Sequence, residues 1–480
     1  MRRTKIVATL GPATDDPRTL DQIIAAGLDA ARLNYSHGTR ESHAQRMRCL
    51  RECSERRGVY VGVMADLQGP KIRIQRFRTG PVHLEPGDRF ALDPDLPADA
   101  GDDGRVGVSY PDLPKDVKSG DTLLIDDGRI VLGVERVAAN RVECVVRTGG
   151  LLSDNKGLNR AGGGLSARAL TPKDLADIRH AVKIGADNVA LSFARNREDV
   201  EEARHAVTEC GGKCGIIAKI ERAEALENIQ GILKACDGIM IARGDLGVEI
   251  GDAKLPPEQK RLIQKARDSN RIVITATQMM ESMIENPIPT RAEVFDVANA
   301  VLDGTDAVML SAETSVGRYP ARAVEAMDRI CRETETQWGT KGADYRLDAH
   351  FDRIDEAIAM STMYAANHIG AKAIVALTET GSTCLWMSRV LTSIPIFAFT
   401  RRPETLRKVS LYRGVCGIAY DITHADFLRA NREMIDILLE HGSVTDGDVI
   451  IITKGDLRGT QGGTNGMKIV RVGQTAMESV

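Results

Sequence analysis

Lys219 and Glu221 stand two residues apart at the end of the apolar run Gly215-Ile216-Ile217-Ala218. Side chains alternate faces along a strand, so these two point one way and Ile220 the other. Taken alone, a Lys and a Glu at a strand tip form a solvated ion pair of small energetic worth. Other apolar runs end in the same manner: one carries Arg32, Asn34 and Ser36, another Asp66, another Ser192. Further along come Arg243-Gly244-Asp245, then Thr275-Ala276-Thr277-Gln278, then Ser311 and Glu313. Any one ending is a capped strand; the set is a candidate site.

The residue types specify a chemistry. Glu221 and Asp245 are hard oxygen donors suited to Mg²⁺ or Mn²⁺, ions that keep water and take one or two protein carboxylates. No His/Cys cluster with zinc spacing competes. Arg32, Lys219 and Arg73 add fixed positive charge, and a divalent ion with convergent Arg and Lys suits a transferring phosphoryl group. Gly244 lets a substrate carboxylate approach backbone N–H groups beside Asp245. Thr277, Ser311 and Glu313 are candidates to relay a proton by way of water. Neither GxxxxGK[ST] nor GxGxxGxV occurs, so a nucleotide needs another scaffold.

The elements that must position these residues alternate. The strand runs are KIVATL (5–10), ARLNYSH (31–37), VYVGVMADL (59–67), DNVALSF (187–193), KCGIIAKIE (213–221), CDGIMIARGD (236–245), RIVITATQM (271–279) and DAVMLSAE (306–313). Helical patterns separate them, with Gly27 as one stop and Thr171-Pro172-Lys173-Asp174 as a strong start. ARAVEAMDRICRETE (321–335) closes the series. Eight such units close a parallel (β/α)₈ TIM barrel, whose catalytic groups sit at the carboxyl ends of the strands.

The alternation lapses between 70 and 169, where KIRIQRF, RVECVVR and an Asp127-Gly128 hairpin between TLLID and RIVLGVERV read as an all-β domain. Placed after strand three, it is a natural lid that carries Arg73 and Lys156 over bound phosphates. From 345 to 480 the pattern is an open α/β domain, reading as helix IDEAIAMSTMYAANHIG, strand AIVALT, helix TCLWMSRVL, strand IPIFAFT, another helix, then DVIIIT and KIVRVG. The expected division is barrel over 1–69 and 170–340, lid over 70–169, and regulatory α/β domain over 345–480. In the last, Thr378, Thr380, Ser382 and Thr383 surround Gly381 ahead of a helix, which suits a phosphate as well as a simple cap.

Composition excludes several classes of partner. The 480 residues carry 64 Lys+Arg against 67 Asp+Glu, a net charge of -3, with no basic footprint for nucleic acid or an anionic membrane. The start, MRRTKIVATLGPATDDP, has too short an apolar run for a signal peptide, and no run of about 18 apolar residues follows. Nine scattered cysteines fit reduced thiols in a cytoplasm.

The stretches ARLNYSHG (31–38), IIAKIE (216–221), IARGDLGVE (242–249), TATQMMESM (275–283), PTRAEVFDVANAVLDGTDAVMLSAET (289–314) and GRYP (317–320) resemble the pyruvate kinase family, in domain order as well as motif. The resemblance implies transfer of the phosphoryl group of phosphoenolpyruvate to ADP, giving pyruvate and ATP, the last step of glycolysis. It implies two divalent ions, one held by the protein and one arriving with the nucleotide. Glu221 and Asp245 match the metal ligands, Lys219 the charge-stabilising lysine and Arg32 the phosphoryl clamp. Gly244 and Thr277 match holders of the substrate carboxylate, while Asn34, Arg73 and Lys156 match nucleotide-phosphate contacts. A homotetramer and a phosphorylated allosteric effector at Thr378–Thr383 are further implications. The bacterial type answering to AMP or sugar monophosphates is the nearer likeness.

One departure stands out. Many members have Thr, Lys and Glu after the strand-three aspartate and use K⁺; here the stretch is Asp66-Leu67-Gln68-Gly69-Pro70-Lys71-Ile72-Arg73. Leu67 removes a hydroxyl, and Lys71 puts an ammonium where a glutamate would need a counter-cation. K⁺ is therefore expected to be dispensable, although Asn34, Ser36 and Asp66 match the remaining K⁺-type ligands. Two rival readings are a Mg²⁺-dependent barrel lyase acting on pyruvate-like enolates and a non-catalytic regulatory paralogue.

Overall fold

The structure is a computed structural model that describes residues 1–337, 350–422, 427–456 and 462–473. Eight parallel strands close a barrel in chain order: Lys5–Leu10, Ala30–Asn34, Gly62–Asp66, Asn188–Leu191, Gly215–Ile220, Gly238–Ala242, Ile272–Ala276 and Ala307–Leu310. Six of the eight are buried at every residue, as near-continuous apolar strands covered on both faces must be. Register pairs Thr9 with Arg32, Ala8 with Leu310 and Ile220 with Ile241.

The carboxyl end of strand six corrects the sequence reading. Arg243-Gly244-Asp245 does not finish the strand, which stops at Ala242; it forms the first turn of helix Arg243–Ile250. Asp245 therefore sits where a helix favours negative charge.

The chain divides into two compact units, residues 66–183 with 189–262, and residues 1–65 with 184–188 and 263–480. In the first of these, a six-stranded sheet and a two-stranded sheet lie in sequence between barrel strands three and four. The six-stranded sheet runs in the order Leu158–Arg160, Thr122–Ile125, Ile130–Ala138, Arg141–Thr148, Arg89–Asp93, Arg105–Gly107. Its core gathers Phe90, Leu92, Leu123, Ile125, Leu132 and Val142. The expected hairpin forms, with Asp126, Asp127 and Gly128 at φ 53, 55 and 86°. KIRIQRF is not a strand: Arg73, Ile74 and Phe77 make only isolated bridges to Gly157, Val108 and Gly101. The run is a crossing segment whose alternation serves three different partners.

Asp174 fastens both ends of this excursion. It lies in the first turn of helix Pro172–Ile184, fully buried. One oxygen accepts the Gly69 N–H at 3.1 Å on the way out, and the other accepts the Thr171 N–H at 2.9 Å on the return.

The other unit holds the C-terminal sheet, ordered Val415–Ala419, Ile396–Thr400, Ala373–Leu377, Val449–Lys454, Gly466–Arg471, with the last strand antiparallel. The edge strand Val415–Ala419, and the helix Pro403–Val409 before it, add one strand and one helix to the sequence reading. Its Val-Cys-Gly-Ile-Ala composition hides it, because Gly417 is there for close packing: a Cβ would meet Leu406 at 3.0 Å. Helix Ser382–Ser388 ends at Arg389, fully buried, whose guanidinium pairs with buried Asp306 just ahead of strand eight and donates to the Arg271 carbonyl at 2.6 Å. The expected domain boundary near 340–345 lies outside the described residues.

Candidate active site

Barrel strand five answers for the Lys219–Glu221 pair. Alternation turns Ile220 into the core with no exposure, while the Lys219 ammonium meets the Glu221 carboxylate at 2.9 Å. The same ammonium lies 3.3 Å from buried Asp66 at the end of strand three and donates to the Ser192 hydroxyl, 2.7 Å away, after strand four. Ser192 in turn donates to the Leu67 carbonyl at 2.7 Å. Three neighbouring strand ends thus fix one ammonium in a largely water-free setting, where a fixed charge acts strongly.

Glu221 also accepts the Phe193 N–H at 2.7 Å. Burial pushes its carboxyl above the ordinary range; Lys219 and the Phe193 N–H pull it back, and the charge on Asp245 pushes it up again. Asp245 is paired with Lys71 at 3.3 Å. Among the described residues no three His, Cys, Asp or Glu side chains gather as a metal cage. A Mg²⁺ ion needs no such cage, and two carboxylates close enough to oppose each other's charge fit it.

Lys71 and Asp245 also line a cleft of about 330 Å³ with Asn159, Phe193, Arg222 and Glu249. Burial pushes the Glu249 carboxyl up to about 7; the Ala223 N–H and Arg222 counter it, and Glu224 adds to it. Sequence reasoning assigned no role to Arg222, Glu224 or Glu249. One signal was available: Glu249 follows Asp245 by four on a helix, which puts both on one face. Arg73 and Lys156 come together in the sheet domain. Arg73 donates to the Asn155 carbonyl at 2.8 Å, the Ile74 N–H donates to the Lys156 carbonyl at 2.9 Å, and the Lys156 ammonium pairs with Asp126 at 2.9 Å.

In the other unit, Arg32 on strand two donates to the Thr9 hydroxyl at 3.0 Å, and Thr9 donates to the Leu310 carbonyl at 2.9 Å. Asn34 is half-buried and accepts the N–H of exposed Ser36 at 3.1 Å. Thr277 and Gln278 adopt φ +66° and +54°. For a β-branched residue this is a genuine outlier costing about 1–3 kcal/mol, and such strain collects at functional positions. Glu313 is buried and accepts the N–H groups of Ser311 at 2.6 Å and Met280 at 3.2 Å. Burial pushes its carboxyl up, and those N–H groups hold the rise in check.

The C-terminal loop is internally bonded. The Thr378 hydroxyl accepts the Gly381 N–H at 3.0 Å, Thr380 meets Ser382 at 3.1 Å, and Thr383 meets Thr464 at 2.9 Å. Glu379 beside it is paired with Arg401 and Arg402.

Against known proteins, residues 1–324 match the family model described as pyruvate kinase, barrel domain, and residues 356–470 match pyruvate kinase, alpha/beta domain. Pyruvate kinase II of Salmonella typhimurium is 51% identical over 476 residues, covering 98% of this chain and 99% of that protein. Pyruvate kinase of Haemophilus influenzae is 49% identical over 468 residues, covering 96% and 97%. Among solved structures, a pyruvate kinase from Cryptosporidium parvum superposes with a TM-score of 0.93 at 36% identity, covering 98% of this chain and 96% of that one. Family-model matches over both the barrel and the α/β domain, and relatives near half identity along nearly the whole chain, place it in the pyruvate kinase family.

Proposed function

We propose the following division of labour for a chain that, as a pyruvate kinase, transfers the phosphoryl group of phosphoenolpyruvate to ADP in the last step of glycolysis. Lys219 stabilises the charge that develops between the phosphoryl group and the enolate, and Arg32 clamps the phosphoryl oxygens. Glu221 and Asp245 would hold the Mg²⁺ ion that the family generally needs, and a second ion would arrive with the nucleotide. When bound, such an ion supplies positive charge to oxygens that grow more negative during transfer. Backbone N–H groups around Gly244 hold the substrate carboxylate, Thr277 orients it and borders the enolate, and Ser311 and Glu313 relay a proton through water. The inserted domain, taken over 70–169, acts as a lid that brings Arg73 and Lys156, with Asn34, to the nucleotide phosphates.

The observation that carries this reading is the Lys219 ammonium fixed by Asp66, Ser192 and Glu221, with the charge on Asp245 acting on the Glu221 carboxyl. It is tested by initial pyruvate formation from phosphoenolpyruvate and ADP with Mg²⁺ in a K⁺-free buffer. Strong turnover is expected, because Lys71 stands in for K⁺; its ion pair with Asp245 supports that reading. Turnover that needs KCl would overturn the part given to Lys71 and return Asn34, Ser36 and Asp66 to K⁺ binding. Silence under both conditions would overturn the site assignments.

The rest of the reading concerns assembly and control. Apolar side chains left exposed at Ile288, Phe295, Leu302 and Val316, and an edge strand exposing Met467 and Ile469, support a homotetramer. The hydroxyls of Thr378, Thr380, Ser382 and Thr383 bind the phosphate of an allosteric effector, with Arg401 and Arg402 at hand. Cytoplasmic placement fits nine free thiols, and no helix among the described residues is long and apolar enough to cross a membrane.

A further inference from the structure

The inserted sheet domain returns to the barrel through Gly162-Gly163-Gly164, three consecutive glycines at φ +80°, +78° and +95°. A Cβ on Gly163 would come within 2.6 Å of Glu224, and one on Gly164 would collide with Arg160. Only glycine supplies both this backbone and this space.

Three successive strand-to-helix junctions grip the segment. After strand six, the Glu249 carbonyl accepts the Gly162 N–H at 3.0 Å. After strand five, the Glu224 carboxylate accepts the Gly164 N–H. After strand four, Arg195 donates to the Ser166 carbonyl at 3.0 Å. The Glu249 side chain also accepts the Ala223 N–H at 2.8 Å, two residues beyond Glu221, and Asn159 of the sheet domain reaches its other oxygen at 3.5 Å. Arg222, only 4% exposed, lies 4.0 Å from Glu224 and 3.8 Å from Glu249. Its Nε and Nη1, and one oxygen of Glu224, are buried without a hydrogen-bond partner among the described residues. The guanidinium therefore stands between two carboxylates without being locked to either.

We infer that Arg222, Glu224 and Glu249 are positioning residues, a charged latch that fixes the return crossing of the sheet domain against the junctions carrying Glu221 and Asp245. The inference rests on reading that domain as a lid. The glycine run lets the backbone swing, and the latch sets where the swing ends. Because Lys71 and Asn159 line the same cleft as Arg222 and Glu249, the latch also sets the cleft's width.

The test pairs hydrogen exchange with kinetics on the full chain. In Glu224→Ala, exchange across residues 158–168 is expected to quicken at least tenfold while other barrel peptides keep their rates. The KM for ADP is expected to rise at least fivefold, with the KM for phosphoenolpyruvate within twofold. Glu224→Gln keeps an acceptor for the Gly164 N–H and should restore most of the protection; Arg222→Met should behave like the alanine variant. A merely structural role would quicken exchange throughout and lower kcat without moving KM. Unchanged exchange in every variant would overturn the latch, as would faster exchange with an unchanged KM for ADP. Arg73→Ala separates the two readings. If it leaves the KM for ADP unchanged, the lid reading fails; if it raises that KM while the latch variants are silent, the latch alone fails.

Discussion

Lys219 is set by three groups on neighbouring strands, so its charge is fixed in place before any substrate arrives. Prearranged charge of this kind costs no reorganisation during the reaction. Lys219→Met should lower kcat by about 10²–10³-fold, the loss expected for one such stabilising group, with little change in the KM for ADP. Steady-state kinetics on the purified variant check this, and a kcat within tenfold of the parent would sink it. The Lys219–Glu221 pair was legible because a period of two suffices to put both on one face. Arg222, Glu224 and Glu249 were not, because their meaning lies in contacts with chain 60 and 90 residues away. Glu249 makes a further prediction. Its carboxyl holds a proton up to about 7 in the fold but only to the ordinary carboxylate range when unfolded. The folded state thus binds the extra proton, and stability falls as pH rises between those values, by about 3 kcal/mol at most, then levels off. Glu249→Gln removes the titration, so its stability relative to the parent should grow from pH 4 to pH 8. Denaturation midpoints at several pH values measure this, and parallel curves would refute it.

At the scale of elements, the barrel was readable because each strand is an apolar run bounded by turn residues, and because a buried parallel strand needs no finer code. The failures are physical as well. KIRIQRF alternates like a strand yet crosses between domains, and Val415–Ala419 lacks bulk because Gly417 must admit a helix. Arg243 to Asp245 are helical, a change of backbone that apolar periodicity cannot announce. The segment from Asp66 to Arg73 carries its own prediction. Lys71→Glu replaces the ammonium at Asp245 with a carboxylate, so activity should fall many-fold in K⁺-free buffer and recover substantially with KCl. Activity indifferent to K⁺ in that variant would mean that Lys71 is only a half-exposed charge at the domain crossing.

For the whole molecule, Arg389 at the end of a C-terminal helix and Asp306 just ahead of barrel strand eight form a fully buried ion pair. Removing one partner leaves a buried charge unpaired, at a cost of about 3–5 kcal/mol. Arg389→Leu should move the first unfolding transition to distinctly lower denaturant, whereas an unshifted transition would show that Asp306 is satisfied by the N–H groups of Val273 and Arg413 alone. The exposed edge strand and the Ile288–Val316 surface predict a tetramer by light scattering, and a charge at Phe295 should split it; a monomeric parent would contradict that reading. The Asp174 clasp has a different consequence. Because one carboxylate ties the departing and returning chain together at its root, the domain between them is an appendage on a finished barrel. Evolution could lengthen, trim or exchange that appendage without touching the barrel's register. Excising 70–169 and joining Gly69 to Leu170 should leave a protein that folds, seen as a cooperative unfolding transition; an unfolded product would contradict this.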